Sequence, residues 1–146
     1  MIVVDASVPA NGVGDDGIDG SAARRRSADA GEGSIPDLAD VETVAVLRKR
    51  WLAGDLTDRR FRSAIEDLPA LPLVRFPTGP LMLRAYDLKA NVTAYDASYV
   101  ALAEGLACTL VTADTRLARV PTANCTVEVL TRPIPERRQE TGSSPD

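Results

Sequence analysis

Polar and apolar positions alternate along the chain in two kinds of pattern. Short runs rich in apolar and β-branched residues occur at residues 2–4, 71–76, 108–112 and 125–130. Such runs suit strands covered on both faces. Between them the apolar spacing is helical. After Pro36, Leu38, Val41, Val44, Ala45 and Leu52 predict one apolar helix face. Asp37 and Asp40 open this helix, Arg48, Lys49 and Arg50 lie near its end, and Gly54 stops it. Thr57 predicts the N-cap of a further helix through Phe61, Ala64, Ile65 and Leu68, closed by Pro69. Pro80 opens a helix over residues 81–90, and Thr93 caps another over residues 94–104, ahead of Gly105. Residues 9–34 are different. Pro9, six glycines from Gly12 to Gly33, and Asp15, Asp16 and Asp19 predict loop, with one short helix over residues 22–30.

Strands separated by helices predict an α/β fold, a parallel β-sheet flanked by helices in three layers, α/β/α. No internal repeat is present. Beyond residue 130 the composition turns to Arg, Pro, Glu, Gln, Ser and Gly. The expectation is one domain over residues 1–130 and a disordered polar tail over residues 131–146.

A length of 146 residues with 45% hydrophobic content suits a single core. No apolar run is long enough to span a bilayer, so no membrane role is expected. Residues 1–5 lack the pattern of a secretory signal, and Cys108 and Cys125 read as small buried hydrophobes in a reducing cytoplasm. The absence of histidine excludes a Ser-His-Asp triad, a Cys-His pair and a His-ligated zinc site. The net charge of −4 argues against a nucleic-acid coat protein. Three basic clusters still stand out: Arg24-Arg25-Arg26, Arg48-Lys49-Arg50 and Arg59-Arg60-Arg62. They read as solvated surface, or as phosphate contacts beside a site.

In an open parallel sheet, ligand sites form at the carboxyl edge of the strands. Asp5 follows the first strand and Asp114 follows the strand ending at Thr112. Asp96 lies in the first turn of the helix capped by Thr93, and Glu42 in the second turn of the helix after Pro36. Crossover helices begin at that same edge, so four carboxylates can converge there. Taken singly, each is a turn former, a cap or a solvated charge. Together they would repel, and a cation is needed among them. With oxygen donors alone, the fitting ion is Mg2+ or Mn2+, which suits hydrolysis of a phosphodiester. A phosphatase of the haloacid-dehalogenase type would need an Asp where Ser7 stands. A response-regulator receiver needs a late Lys, and the only lysines are Lys49 and Lys89.

The residues around these acids resemble one family. Met1-Ile2-Val3-Val4-Asp5-Ala6-Ser7-Val8 is similar to the opening of PIN-domain ribonucleases, in particular the VapC toxins of type II toxin–antitoxin pairs. Pro36 to Glu42 resembles the helix carrying that family's glutamate. The segments Asn91 to Ala103 and Leu110 to Ala118 resemble its third and fourth acidic motifs. The resemblance implies a metal-dependent endoribonuclease. Asp5 and Asp96 would be metal ligands, Asp114 would complete the site directly or through water, and Glu42 would orient the attacking water or a second metal. Ser7 and Thr112 would hydrogen-bond the carboxylates. It further implies an RNA substrate, a VapB-type antitoxin that places a cationic segment in the acidic site, and a homodimer or a hetero-oligomer with that antitoxin. The broken pattern over residues 9–34 departs from the family. It supports an alternative, a catalytically weakened PIN-like domain that binds RNA or a partner protein without cleavage.

Overall fold

The computed structural model describes residues 1–121 and 123–130; the tail expected over residues 131–146 lies outside the described residues. Strand β1 (Ile2–Val4) leads into helices α1 (Ser7–Gly14) and α2 (Ile18–Ala30). Strand β2 (Gly33–Pro36) is followed by α3 (Leu38–Leu52) and α4 (Asp58–Asp67). Strand β3 (Leu73–Phe76) is followed by a 3-10 turn, α5 (Met82–Asp87) and α6 (Ala94–Gly105). Strands β4 (Thr109–Thr112) and β5 (Val127–Val129) are the last among the described residues.

All pairings are parallel, in the order β3-β2-β1-β4-β5. The chain moves outward from β1 to β3, then crosses back to place β4 on the other side of β1. The switch in direction therefore falls between β1 and β4, where α/β sheets bind their ligands. Val3, Val4, Leu110 and Val111 are almost fully buried in the two central strands, as a sheet covered on both faces requires.

The structure corrects the reading of residues 9–34, because α1, α2 and β2 replace the expected loop. Pro9 is the third residue of α1, where a backbone N–H would have no partner within the helix, so its ring costs no bond. Gly20 serves close contact: a Cβ there would lie 1.8 Å from the Asp15 carbonyl oxygen. The Arg24 guanidinium donates to the carbonyls of Gly12 and Asp15 at 2.8 and 2.9 Å, closing the end of α1. Val8, Pro9, Ala10, Asn11 and Val13 are buried, so α1 covers the sheet despite its glycines.

The face of α3 is also corrected. Ala39, Thr43 and Leu47 are buried, while Val41 is 75% and Leu52 59% exposed. Small residues let α3 approach closely, and Leu47 packs with Ala10 and Val13 of α1. The helix after Pro80 is shorter than expected, because Pro80 sits in the 3-10 turn and α5 ends at Asp87. Thr57 and Thr93 cap as the sequence indicates, each hydroxyl accepting a backbone N–H at 3.2 Å. Cys108 and Cys125 are free thiols, partly buried against the core, and burial pushes both up. Among the described residues no helix is long and apolar enough to cross a membrane.

Candidate active site

Asp5 follows β1 directly and is buried, 6% exposed. One of its oxygens accepts the Ser7 backbone N–H at 3.0 Å and the Ser7 hydroxyl; the other accepts the Thr112 hydroxyl. Both hydroxyls are aimed by the turn after β4. The Ala113 N–H donates to Ser7 Oγ and the Asp114 N–H to Thr112 Oγ1, each at 2.9 Å. With a lone pair of each oxygen so occupied, each hydroxyl proton turns to Asp5. The ends of β1 and β4 are thus fastened through one carboxylate. Burial pushes the Asp5 carboxyl up to about 6, against the lowering effect of its hydrogen bonds, and the charge of Glu42 adds to the rise.

Glu42 stands on the second turn of α3. Its carboxyl is raised by burial and then by the charge of Asp96, while a hydrogen bond from Tyr99 lowers it. Tyr99, on α6, is 1% exposed, and its hydroxyl donates to Glu42 Oε2 at 2.5 Å. Burial and this bond push the Tyr99 phenol far up, so it remains a donor. Asp96, in the first turn of α6, is raised by burial and by the charge of Asp114. Asp114 is held low by Arg116, whose guanidinium contacts both its oxygens, at 2.7 and 3.1 Å.

The structure brings the four sequence-chosen acids to the carboxyl edge as a row. Asp5 feels Glu42, Glu42 feels Asp96, and Asp96 feels Asp114. The row is looser than the single pocket expected from the sequence. Among the described residues no three His, Cys, Asp or Glu side chains are grouped closely enough to hold an ion as they stand. The donor set nevertheless suits a hard cation. It is made of oxygen alone, and three of its carboxyls are raised by burial and by one another. The two oxygens of Asp5 offer about four lone-pair sites, and three are used.

Two residues at this edge escaped sequence reasoning. Tyr99 reads from sequence as packing; it packs and also binds Glu42. Arg116 carries the positive charge of the row, and only its place two residues after Asp114 could have signalled this. Besides Arg24, four of the nine cations in the three basic clusters are engaged within the fold. Arg26 pairs with Glu128, Arg50 with Asn11, Arg60 with Asp16 and Arg62 with Glu66.

A five-stranded parallel sheet with acids at the edge of its switch point defines the class. The chain belongs to the PIN-domain family, whose model matches residues 2–123. Within it, the chain is similar to Ribonuclease VapC9 of Mycobacterium tuberculosis, with 39% identity over 132 residues, 90% of this chain and 100% of the relative. Its fold is similar to that of M. tuberculosis VapC20, a sarcin-ricin loop cleaving toxin, with TM-score 0.65 and 16% identity over 91% of this chain and 100% of that one. It is also similar to a chain of VapBC2 from Rickettsia felis, bound to a DNA fragment from its promoter. There the TM-score is 0.65 and the identity 12%, over 90% of this chain and 100% of the other.

Proposed function

We propose that this protein is the toxic component of a toxin–antitoxin pair, an endoribonuclease of the cytoplasm that depends on Mg2+ or Mn2+. The carboxylate row at the switch point carries the reading, and the 39% identity to a VapC ribonuclease across that relative's whole length supports it. Asp5 and Asp96 would hold the ion, and Asp114 would complete the set, directly or through water. A bound divalent ion supplies an acidified water and neutralises charge on the phosphodiester. Glu42 orients the attacking water and accepts its proton, a task that suits a carboxyl raised by burial. Ser7 and Thr112 keep Asp5 in place, and Tyr99 does the same for Glu42.

The partner that fits an acidic row is a VapB-type antitoxin presenting a cationic segment. The VapBC2 likeness supports such a partner, in a homodimer or a hetero-oligomer with the antitoxin. A domain that binds without cleaving is less well supported, because α1 and α2 fill the region that had favoured it. Asp96→Asn should abolish cleavage of structured RNA in Mn2+ while leaving the circular-dichroism spectrum unchanged and Tm undiminished, and EDTA should abolish cleavage by the unaltered protein. Equal cleavage by the Asn variant would overturn the assignment.

A further inference from the structure

We propose that two adjoining hollows beside Asp96 form a track for single-stranded RNA, running from the carboxylate row past Lys89 to Tyr86; this rests on the ribonuclease reading above. The first hollow, about 480 Å3, has Asp96, Arg116, Arg119 and Lys89 on its walls. Its apolar lining includes Val92, Leu117 and Val120. The second, about 330 Å3, shares Lys89 and Val92 with the first and is lined further by Met82, Ala85 and Tyr86. The two therefore adjoin at Lys89 and Val92, and the first has a carboxylate of the row, Asp96, on its wall.

The charges decide what this surface takes. Arg116 is committed to Asp114. Arg119 is exposed and makes no ion pair with a described residue. Lys89 Nζ gives one hydrogen bond to the Tyr86 carbonyl and lies 3.7 Å above the Tyr86 ring. An ammonium has three donors, so two remain for a phosphate. Tyr86 itself is 65% exposed, a large ring with the ammonium over one face and the rest open. Free cations, an apolar floor and an exposed aromatic ring make up the chemistry that holds single-stranded nucleic acid: phosphates go to the cations and a base stacks on the ring. An acidic protein segment would use the cations and leave the ring unexplained. Five of the nine cations in the clusters conspicuous in the sequence are already spent within the fold, and none of the nine lines either hollow.

Binding of a fluorescein-labelled, random-sequence, single-stranded RNA to the full chain, in EDTA across a salt series, tests this. Lys89→Ala and Arg119→Ala should each weaken binding and flatten the slope of log affinity against log salt by about 0.7. Tyr86→Ala should weaken binding about fivefold or more and leave that slope unchanged. Arg25→Ala and Arg59→Ala, exposed cations of the sequence clusters, should change neither. The track is overturned if the slope follows Arg25 and Arg59 instead. It is equally overturned if the Lys89 and Arg119 variants bind RNA normally and lose only affinity for poly-glutamate. Cleavage of cellular RNA in Mn2+ by the unaltered protein is read in parallel. Cleavage with unaltered slopes sinks the track alone, whereas neither cleavage nor binding sinks both readings.

Discussion

Asp5 and Glu42 are both carboxylates at one edge, yet they are held in different ways. Asp5 is gripped by neighbours in its own turn and in the turn after β4, a network in which two backbone N–H groups set the direction of two hydroxyls. Glu42 has a single side-chain bond, from Tyr99, which arrives from a different helix. Removing the Tyr99 hydroxyl should therefore loosen Glu42, and it also takes an acceptor from the Ala6 N–H. Tyr99→Phe is expected to lower kcat roughly tenfold, about 1.4 kcal/mol, with KM little changed. Stability should fall by about 1 kcal/mol, the typical net value of one hydrogen bond. An unchanged kcat in steady-state cleavage would refute the positioning role. The acids were legible in the sequence, because an Asp after a strand and an acid in the first or second turn of a helix are local signals. Tyr99 was not, because its partner lies 57 residues away and its role depends on α3 meeting α6.

At the scale of the elements, capped helices were legible and closely packed ones were not. Thr57 and Thr93 announce α4 and α6 through local chemistry. Glycine in α1 and α2 was misread as a breaker, since sequence does not distinguish a glycine that bends the chain from one that lets two segments touch. The α3 face differs for a related reason: its buried side is built on small Ala39 and Thr43 with Leu47, and larger Val41 is left outside. Two substitutions separate these roles. Gly20→Ala drives a methyl into the Asp15 carbonyl and should cost roughly 3 kcal/mol, the upper end for overpacking. Ala107, between α6 and β4, is the opposite case, with a left-handed φ of 50° in a residue that carries a Cβ. Ala107→Gly should relieve about 1 kcal/mol there and raise Tm by about 2–4 °C. Calorimetry checks both signs; a neutral Gly20→Ala would remove the close-contact account of α2.

For the molecule as a whole, the sheet order sets the electrostatics. Because β1 and β4 are neighbours at the switch point, the acids that follow them lie at one edge, and α6 and α3 add two more. The fold buries carboxyls at one edge, and that burial, more than their mutual repulsion, gives its stability a dependence on pH and on metal. The Asp5 carboxyl is held at about 6 in the folded chain, above its ordinary 3.8. Between those values the folded state binds the extra proton, so Asp5 costs stability above its folded value and costs nothing below its unfolded one. The cost at pH 7.5 is roughly 2–3 kcal/mol, at about 1.4 kcal/mol per unit. Burial of Glu42 and Asp96 acts in the same sense. The acids held low, such as Asp114 and Glu128, lose their contribution only as the pH falls below the ordinary carboxylate range. In EDTA the Tm should therefore rise as the pH is lowered from 7.5 to about 5, then fall on further acidification. Mn2+ competes with those same protons, so it should raise Tm strongly at pH 7.5 and weakly at pH 5. Thermal melts at the two pH values, with EDTA and with Mn2+, read both effects at once. A Tm indifferent to Mn2+ at pH 7.5 would mean that the row does not gather a cation.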